Sequence, residues 1–232
     1  MSGAQPSRGC NPLPVAQNLC VLHLGFLIDS FSFRYSMYHH IRANYFCAIL
    51  VKKSPHAEYT SMATFEYPAS IMGRYLLSIR IKYHGIAFTL LTTHLESTKN
   101  AARERKQQLT KCFSEMDKSK HDSHVILAGD LNIRDNEIDS IGGLPEGVYD
   151  AWVTSGGDKN TQFTWDVGEN DNLKWTFKNK PKLRFDRMLY TCGTNREMNV
   201  ESFQLVGKGR LESCGRFPSD HWGILCEFTI HG

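Results

Sequence analysis

Short runs of apolar residues, bounded by turn-forming residues, recur along the chain. Residues 45–51 form one such run, and Lys52-Lys53-Ser54-Pro55 follows it, which is typical of the end of a buried strand. Two more strands are predicted at residues 74–82 and 86–93, joined by a hairpin turn at 83–85. Residues 125–128, 183–191, 200–206 and 223–230 have the same character and complete the set of predicted strands.

One segment instead has helical periodicity. Leu109, Cys112, Phe113 and Met116 recur with the spacing of one apolar helix face, which predicts a helix over residues 98–116. Its charged residues are expected to form a solvent-exposed face; they are Arg103, Glu104, Arg105, Lys106 and Lys111. Before residue 44 no comparable pattern is found, and residues 1–14 are expected to be disordered because they are rich in Gly, Pro, Ser and Asn.

Polar residues follow the predicted strand at 125–128 directly. Gly129 ends the apolar run, and Asp130 and Asn132 come next with one residue between them. Because alternate residues of a strand face the same side, the carboxylate and the carboxamide are expected to lie together. Such a pair can hold and deprotonate a water molecule. A Gly-Asp-x-Asn turn without any function would explain the same residues, so this stretch alone leaves both interpretations open.

Three further polar sites stand at predicted strand ends: His94 in residues 93–97, Asp186 in 185–187, and His221 in 219–222. Each also has a plain structural interpretation as a surface histidine, an ion pair or a turn. Taken together, these sites are expected to meet at one rim of a sheet. The chemistry they suit is phosphate-ester hydrolysis. Asp130 and Asn132 would position the water, and the two histidines would donate to phosphoryl oxygens. Asp186 would orient His221.

Composition allows this interpretation without requiring it. The 232 residues are 41% hydrophobic and 22% charged, as in an ordinary globular domain. A formal net charge of +3 permits an anionic partner. The seven cysteines are odd in number and contain no C-x-x-C pair, which argues against a disulfide framework and a zinc site. Polar residues interrupt the apolar segment at 13–33, so neither a signal peptide nor a membrane span is expected.

The motifs resemble a known family. T-x-H-L at 92–95, G-D-x-N at 129–132, F-D-R at 185–187 and S-D-H-W at 219–222 are similar, in type and order, to the endonuclease/exonuclease/phosphatase superfamily. Longer blocks resemble the branch of that superfamily whose members remove a topoisomerase tyrosine from a DNA 5′-phosphate. They are THLEST at 93–98, IGGLPEGVYDAW at 141–152, TWD at 164–166, KLRFDR at 182–187 and CGRFPSDHWGILC at 214–226. The resemblance covers roughly residues 44–231.

The resemblance implies a fold and a domain organisation. The expected fold is α/β of the α+β type, a four-layer α-β-β-α sandwich of two packed, mostly antiparallel sheets that is incomplete at the N-terminus. Residues 38–232 would form the catalytic domain, and residues 1–37 an atypical, partly disordered segment. The chain is expected to function as a monomer in the nucleus, with the cytoplasm as a second location, and without a membrane partner.

The resemblance also implies roles for matched positions. The catalytic residues would be Asp130, Asn132, His221, Asp186 and His94. Asp220 would lie near a Mg²⁺ ion, with Mn²⁺ as an alternative metal. Arg134 would contact the phosphotyrosyl junction, and Ser97 would also bind substrate. The aromatic residues Tyr45, Trp165 and Phe185 would lie near the single-stranded 5′ end of the DNA.

The chain departs from the family at its start. Family members begin with a strand bearing T-W-N and later a strand ending in Q-E, whose glutamate is a principal Mg²⁺ ligand. Neither motif occurs in these 232 residues. We therefore expect a shortened form that lacks the first strands, binds Mg²⁺ weakly and has reduced activity, since Mg²⁺ demands near-octahedral oxygen ligation.

Three functions follow in order of preference. The first is Mg²⁺-dependent hydrolysis of the 5′-phosphotyrosyl bond between a topoisomerase tyrosine and DNA, a reaction of DNA repair. Its partners would be DNA 5′ ends that carry a tyrosyl or topoisomerase peptide adduct. The second is a catalytically weak relative that binds DNA ends or a protein partner. The third is another superfamily phosphoesterase, either an abasic-site endonuclease or a phosphoinositide phosphatase, which the blocks LRFDR and GRFPSDHW disfavour.

Overall fold

The computed structural model describes residues 33–42, 45–193 and 196–231. The expectation of disorder at residues 1–14 lies outside the described residues. The strands are β1 (Tyr35–Arg42), β2 (Tyr45–Lys52), β3 (Ala57–Glu66), β4 (Tyr75–Tyr83), β5 (Ile86–His94), β6 (His124–Asp130), β7 (Tyr149–Asp150), β8 (Trp165–Asp166), β9 (Lys182–Leu183), β10 (Asp186–Thr191), β11 (Glu197–Val206) and β12 (Gly223–His231). The helices are α1 (Ala102–Ser119), α2 (Asp135–Asp139) and α3 (Ala151–Thr154), with 3₁₀ turns at Lys99–Ala101 and Lys159–Thr161.

Six of these strands form the central sheet, in the order β3-β4-β5-β6-β10-β7. Strands β5 and β6 are parallel, and the other pairings in this sheet are antiparallel. The pairs β1–β2, β11–β12 and β8–β9 form three separate antiparallel sheets of two strands each. The predicted dominance of antiparallel pairing is therefore confirmed, and the parallel β5–β6 pair is joined through α1, as parallel strands require.

Two apolar cores lie on the two faces of the central sheet. One face packs against α1 and α2 through residues that include Leu109, Phe113 and Leu127. The other face packs against the two small sheets β1–β2 and β11–β12, with Ile49 and Phe228 in the shared core. The helix layer, the central sheet and the second β layer agree with the predicted sandwich. Helix α3 lies on the side of the second β layer, since its Ala151 belongs to that core and the helix contacts β10 and β11.

The strands predicted over residues 45–51, 74–82, 86–93, 125–128, 200–206 and 223–230 are present, with small shifts of their ends. The hairpin at 83–85 is confirmed, since His84 and Gly85 both have positive φ, at 49° and 76°. Helix α1 buries the predicted apolar residues. None of the helices in the described part of the chain is long and apolar enough to cross a membrane.

Two long strands, β3 and β1, were missed together with the two-residue strands β7 and β8, and one strand was predicted too long. Strand β3 is exposed along most of its length and lies at the edge of the sheet, so it lacks the apolar alternation of a half-buried strand. Strand β1 contains His39 and His40 and begins before residue 38, inside the segment predicted as atypical. The strand predicted over 183–191 divides into β9, which pairs with β8, and β10, which pairs with β6 and β7 in the central sheet.

The interpretation of Arg105 as part of a solvated helix face is wrong. Its side chain is 0% exposed and lies under residues 96–98. Nη1 donates to the carbonyls of Glu96 (2.9 Å) and Thr98 (2.8 Å). Nη2 and Nε donate to the two carboxylate oxygens of Glu137, at 2.6 and 3.1 Å. Arginine is suited to this place because its guanidinium fork can satisfy two carbonyls and a carboxylate together.

Glu137 also caps helix α2, because its Oε2 accepts from the backbone N–H of Arg134 at 3.1 Å. Burial alone would raise the pKa of Glu137, but the hydrogen bonds from Arg105 and from Arg134 N–H outweigh it and lower the pKa below its usual value of 4.5. The folded state therefore favours the ionised carboxylate. Its contribution to stability is fully present above the unfolded pKa and is lost as pH falls through the lowered folded pKa.

We predict that Glu137→Gln lowers the free energy of unfolding by about 3–5 kcal/mol at pH 7, because the buried Arg105 cation loses its counter-charge. The difference between the two chains should begin to shrink below about pH 4.5, where this carboxylate becomes protonated in the unfolded chain, and should be lost as pH falls through the lowered pKa of the folded state. Urea unfolding of both chains between pH 3 and pH 7 measures this. A difference that stays constant across that range would contradict the ion-pair explanation.

Candidate functional site

Strand register brings three of the predicted residues side by side. The parallel pairing of β5 with β6 places His94 next to Asp130, and the antiparallel pairing of β6 with β10 places Asp186 on the other side of Asp130. All three residues stand at the same end of neighbouring strands. The expectation that strand ends converge on one rim therefore holds for these residues.

Two histidine–carboxylate pairs form at this rim. His94 Nε2 lies 3.2 Å from Asp130 Oδ2. His221 Nδ1 lies 2.7 Å from Asp186 Oδ2, a distance typical of a strong charge-assisted hydrogen bond. The backbone N–H of Asn132 donates to Asp130 Oδ1 at 2.9 Å, and its side-chain amide donates to the carbonyl of Leu95 at 3.3 Å. Asn132 has φ 48°, a left-handed conformation that asparagine tolerates better than most residues.

Gly129 is required by the close approach of β5 to β6. A Cβ atom on this glycine would lie 2.1 Å from the carbonyl oxygen of Thr93, far inside van der Waals contact. The glycine of the G-D-x-N motif thus lets β5 pass closely enough for His94 to meet Asp130.

His221 is placed by a loop that precedes β12. Thr164 holds the backbone on both sides of the His221–Asp186 pair. Its carbonyl accepts from Trp222 N at 2.7 Å, next to His221. Its Oγ1 accepts from the N–H groups of Phe185 (3.1 Å) and Asp186 (3.0 Å). On the other side of the loop, the buried Asn170 donates to the carbonyl of Ser219 at 2.9 Å. Neither Thr164 nor Asn170 was singled out from the sequence, because polar residues in loops give no periodic signal.

The electrostatics of the rim favour a charged histidine beside a carboxylate of unusual basicity. Burial and the nearby charge of Asp186 raise the pKa of Asp130 to about 7, against the opposing effects of His221, the Asn132 N–H and Arg74. Burial disfavours the charged form of His221, but the hydrogen bond and charge of Asp186, with Asp130 and Asp220 also contributing, raise its pKa to about 9. At neutral pH, His221 is therefore a proton donor.

A divalent cation has a candidate site here. One ligand atom from each of Asp130, Asp186 and His221 can be chosen so that these atoms all lie within 4.8 Å of one another. Two carboxylates suit a hard cation, and after burial it is the charge of Asp186 that does most to raise the pKa of Asp130. Asp220, predicted to lie near the metal, is exposed and does not belong to this group, although its charge acts on His221.

Aromatic side chains border one side of the rim. The ring of Phe185 lies 6.3 Å from that of His221 and 5.6 Å from that of Trp165. Trp175 continues the row, 6.0 Å from Trp165. The guanidinium of Arg134 lies 5.5 Å from the centroid of Phe185. Three predicted substrate-binding residues, Arg134, Trp165 and Phe185, are therefore brought together beside the catalytic cluster.

The opposite side contains Tyr45 and a residue that the sequence did not reveal, Arg74. The Tyr45 ring lies 5.9 Å from that of His94. The guanidinium of Arg74 lies 4.4 Å above the Tyr45 ring, is only 8% exposed, and its Nε has no hydrogen-bond partner in the described part of the chain. Ser97 is not shown in contact with the cluster; its hydroxyl donates to Met72 Sδ at 3.3 Å. An arginine just before a strand has no distinguishing pattern, which explains why Arg74 was missed.

Comparison with known proteins agrees with this geometry. The model of the Endonuclease/Exonuclease/phosphatase family matches residues 10–221. The chain belongs to this family. It is 40% identical over 187 residues to tyrosyl-DNA phosphodiesterase 2 of Xenopus laevis and, over the same length, to that of Homo sapiens, with 80% of the chain covered in each case. It spans about half the length of these curated relatives, 49% and 51%.

Solved structures of the family share the fold. The crystal structure of Danio rerio tyrosyl-DNA phosphodiesterase 2, complexed with single-strand DNA product, superposes with a TM-score of 0.82 at 32% identity, covering 87% of this chain and 80% of that one. A truncated Caenorhabditis elegans tyrosyl-DNA phosphodiesterase 2 gives a TM-score of 0.75 at 33% identity, covering 87% and 78%. The resemblance that the sequence motifs indicated is thus confirmed.

The family's G-D-x-N glycine yields a prediction in this chain. Gly129→Ala should lower the free energy of unfolding by more than about 3 kcal/mol, because relief of the clash requires β5 and β6 to separate. Chemical denaturation measures the loss. Gly209→Ala is the matched control, since a Cβ there meets nothing within 4 Å and its φ is not positive. Equal stability of the two variants would show that the β5–β6 approach is not the constraint described here.

Proposed function

We propose that the chain is a Mg²⁺-dependent phosphodiesterase of DNA repair that hydrolyses the 5′-phosphotyrosyl bond between a topoisomerase tyrosine and DNA. The observation that carries the proposal is the meeting of the pairs His94–Asp130 and His221–Asp186 at one strand-end rim. The relatives that share this fold are tyrosyl-DNA phosphodiesterases, which supports the choice of substrate.

The residues of the rim divide the chemistry between them. Asp130, with the Asn132 amide beside it, holds the attacking water and accepts its proton, which suits a carboxylate with a pKa of about 7. His221 is protonated at neutral pH and donates to a phosphoryl oxygen as negative charge builds in the transition state. Asp186 fixes the orientation of His221 and stabilises its charge. His94 supplies a second donor on the far side of Asp130.

The cation would be held by Asp220, the ligand that the family motif implies, with Asp186 as a second carboxylate beside it. When bound, Mg²⁺ (or Mn²⁺) neutralises charge on the phosphate during displacement. The close grouping of carboxylates at the rim supports this assignment.

The flanks of the rim support the proposal that the protein recognises a DNA end without sequence preference. Trp165 and Phe185 offer ring faces on which bases of a single-stranded 5′ end can stack. Arg134 adds a cation at the junction, and Arg74 presents a buried guanidinium that no described carboxylate neutralises by an ion pair. DNA 5′ ends with a tyrosyl or topoisomerase peptide adduct are thus the proposed partners. We place the protein in the nucleus, with the cytoplasm as a second location, because the substrate is there, and we propose that it acts as a monomer.

A second candidate function is DNA-end binding with little catalysis. Among the described residues, the only grouped candidate ligands are two carboxylates and one histidine. This donor set is poor in oxygen for Mg²⁺, which favours near-octahedral oxygen ligation. The same protein would then bind and protect a 5′ end or engage a protein partner while turning over slowly.

We predict that Asp130→Asn reduces the rate of 5′-phosphotyrosyl oligonucleotide hydrolysis by about 10²–10⁴-fold, because the base that activates water is lost. Binding of the same oligonucleotide should change little. Asp122→Asn is the control, since that exposed carboxylate pairs with Arg80 away from the rim. Duplex DNA with an abasic site and a phosphoinositide are assayed beside it. Faster hydrolysis of either one would replace the proposed substrate, and a mutant within a few-fold of the parent would remove Asp130 from the mechanism.

We also predict that this chain binds Mg²⁺ with low affinity. Half-maximal activity should require about tenfold more Mg²⁺ in this chain than in a chimera that carries the family's T-W-N and Q-E strands, because the chimera gains a carboxylate ligand. A Mg²⁺ titration of activity on both proteins measures this. Tight 5′-end binding without turnover at any Mg²⁺ concentration would favour the second candidate function, and equal titration curves would show that the extra glutamate is not needed.

A further inference from the structure

A buried carboxylate that the mechanism does not use lies two residues beyond His94. Glu96 is 1% exposed, and its backbone N–H donates to Gln108 Oε1 at 2.9 Å. Its Oε1 accepts from the hydroxyl of Ser70 at 2.6 Å and from the backbone N–H of Met72 at 3.1 Å. Its Oε2 is buried and has no hydrogen-bond partner in the described part of the chain. A buried polar group is costly unless it is hydrogen-bonded, so the contacts to Oε1 are the ones that offset the burial of this side chain.

These contacts fasten the segment of residues 70–74, which we call the Arg74 segment. Ser70 Oγ, which donates to Glu96, also accepts from the backbone N–H of Arg74 at 2.6 Å. Ile71, at the tip of the segment, is 85% exposed and therefore adds little packing against the core. Polar contacts to Glu96, rather than apolar burial, thus hold this segment where it is.

Arg74 is the end of this chain of contacts. Its guanidinium lies over Tyr45, whose hydroxyl is 3.5 Å from the carbonyl of His94, and its charge lowers the pKa of Asp130 against the stronger effect of burial. Nη2 of the guanidinium also makes a weak hydrogen bond of 3.6 Å to Met72 Sδ, within the same segment. The position of the cation at the rim therefore depends on the backbone of the Arg74 segment.

We propose that Glu96 is a positioning residue: through Ser70 and Met72 it fixes the Arg74 segment and so holds the Arg74 guanidinium against the reacting phosphate. This inference rests on the proposed function. It makes one motif, THLEST, responsible for two features of the site, because His94 contacts Asp130 directly and Glu96 acts two residues later through Arg74.

Steady-state kinetics on a 5′-phosphotyrosyl oligonucleotide test the coupling. Arg74→Ala should lower kcat by about 10²-fold, as loss of a group that stabilises transition-state charge does. Glu96→Ala should lower kcat by about tenfold or more through misplacement of that group, and Ser70→Ala should act in the same direction. The double variant Glu96→Ala/Arg74→Ala should be no slower than Arg74→Ala alone, since both changes remove one contribution.

Two further variants separate positioning from stability. Glu96→Gln keeps an oxygen that accepts from Ser70 and Met72, so it should recover kcat to within a few-fold of the parent. Glu115→Ala removes another buried glutamate, which pairs with Lys111 and Lys118 on α1, and should reduce stability without lowering kcat. Two outcomes would overturn the proposal. One is a loss of kcat in the double variant that equals the product of the two single losses. The other is a loss of kcat in Glu115→Ala as large as that in Glu96→Ala.

Hydrogen–deuterium exchange of backbone amides tests the same contacts independently of catalytic activity. The amides of Met72 and Arg74 should exchange at least tenfold faster in Glu96→Ala, and at the parent rate in Glu96→Gln and Glu115→Ala. Unchanged exchange in Glu96→Ala would reject the positioning role even if every variant were active. If the parent chain hydrolyses no phosphodiester, the proposed function fails, but the inference can still be tested by binding. The affinity of a 5′-phosphorylated oligonucleotide is then measured for Glu96→Ala and Arg74→Ala. Faster exchange with matching losses of affinity supports the inference, and parental affinity in Glu96→Ala overturns it.

Discussion

The close parallel pairing of β5 with β6 is the constraint on which the site depends. Parallel strands run in register here, so the last residues of both strands, His94 and Asp130, end at the same level. Gly129 makes this approach possible because it has no Cβ to meet the Thr93 carbonyl. Strand β10 then adds Asp186 from the other direction. The register of these three strands therefore determines which proposed catalytic residues lie side by side.

Sequence reasoning succeeded where periodicity and motif both applied. The apolar face of α1, the β4–β5 hairpin and the strand before Asp130 all follow from local patterns, and the five proposed catalytic residues do meet in space. Their roles stay predictions until the proposed variants are measured. Local patterns failed at β3, because an exposed edge strand has no apolar alternation to detect.

Buried charge was the other feature that local patterns could not reveal. Arg105 lies in a helix run of charges, and only its tertiary partners distinguish it from its exposed neighbour Arg103. Arg184 and Arg187 share the carboxylates of Asp135 and Asp150 in the same way. Since each of these ion pairs joins residues more than thirty positions apart, no window of sequence contains both partners. The fold of a family member is thus easier to anticipate than its internal electrostatics.

Thr164 supports both His221 and Asp186, one through its carbonyl and one through its hydroxyl. Because one residue holds both segments, we expect a displacement of Thr164 to move the histidine loop and the start of β10 together. The vector between the two side chains then changes far less than the position of either one. Anchoring to one common residue therefore keeps the His221–Asp186 geometry constant when the surrounding loops move.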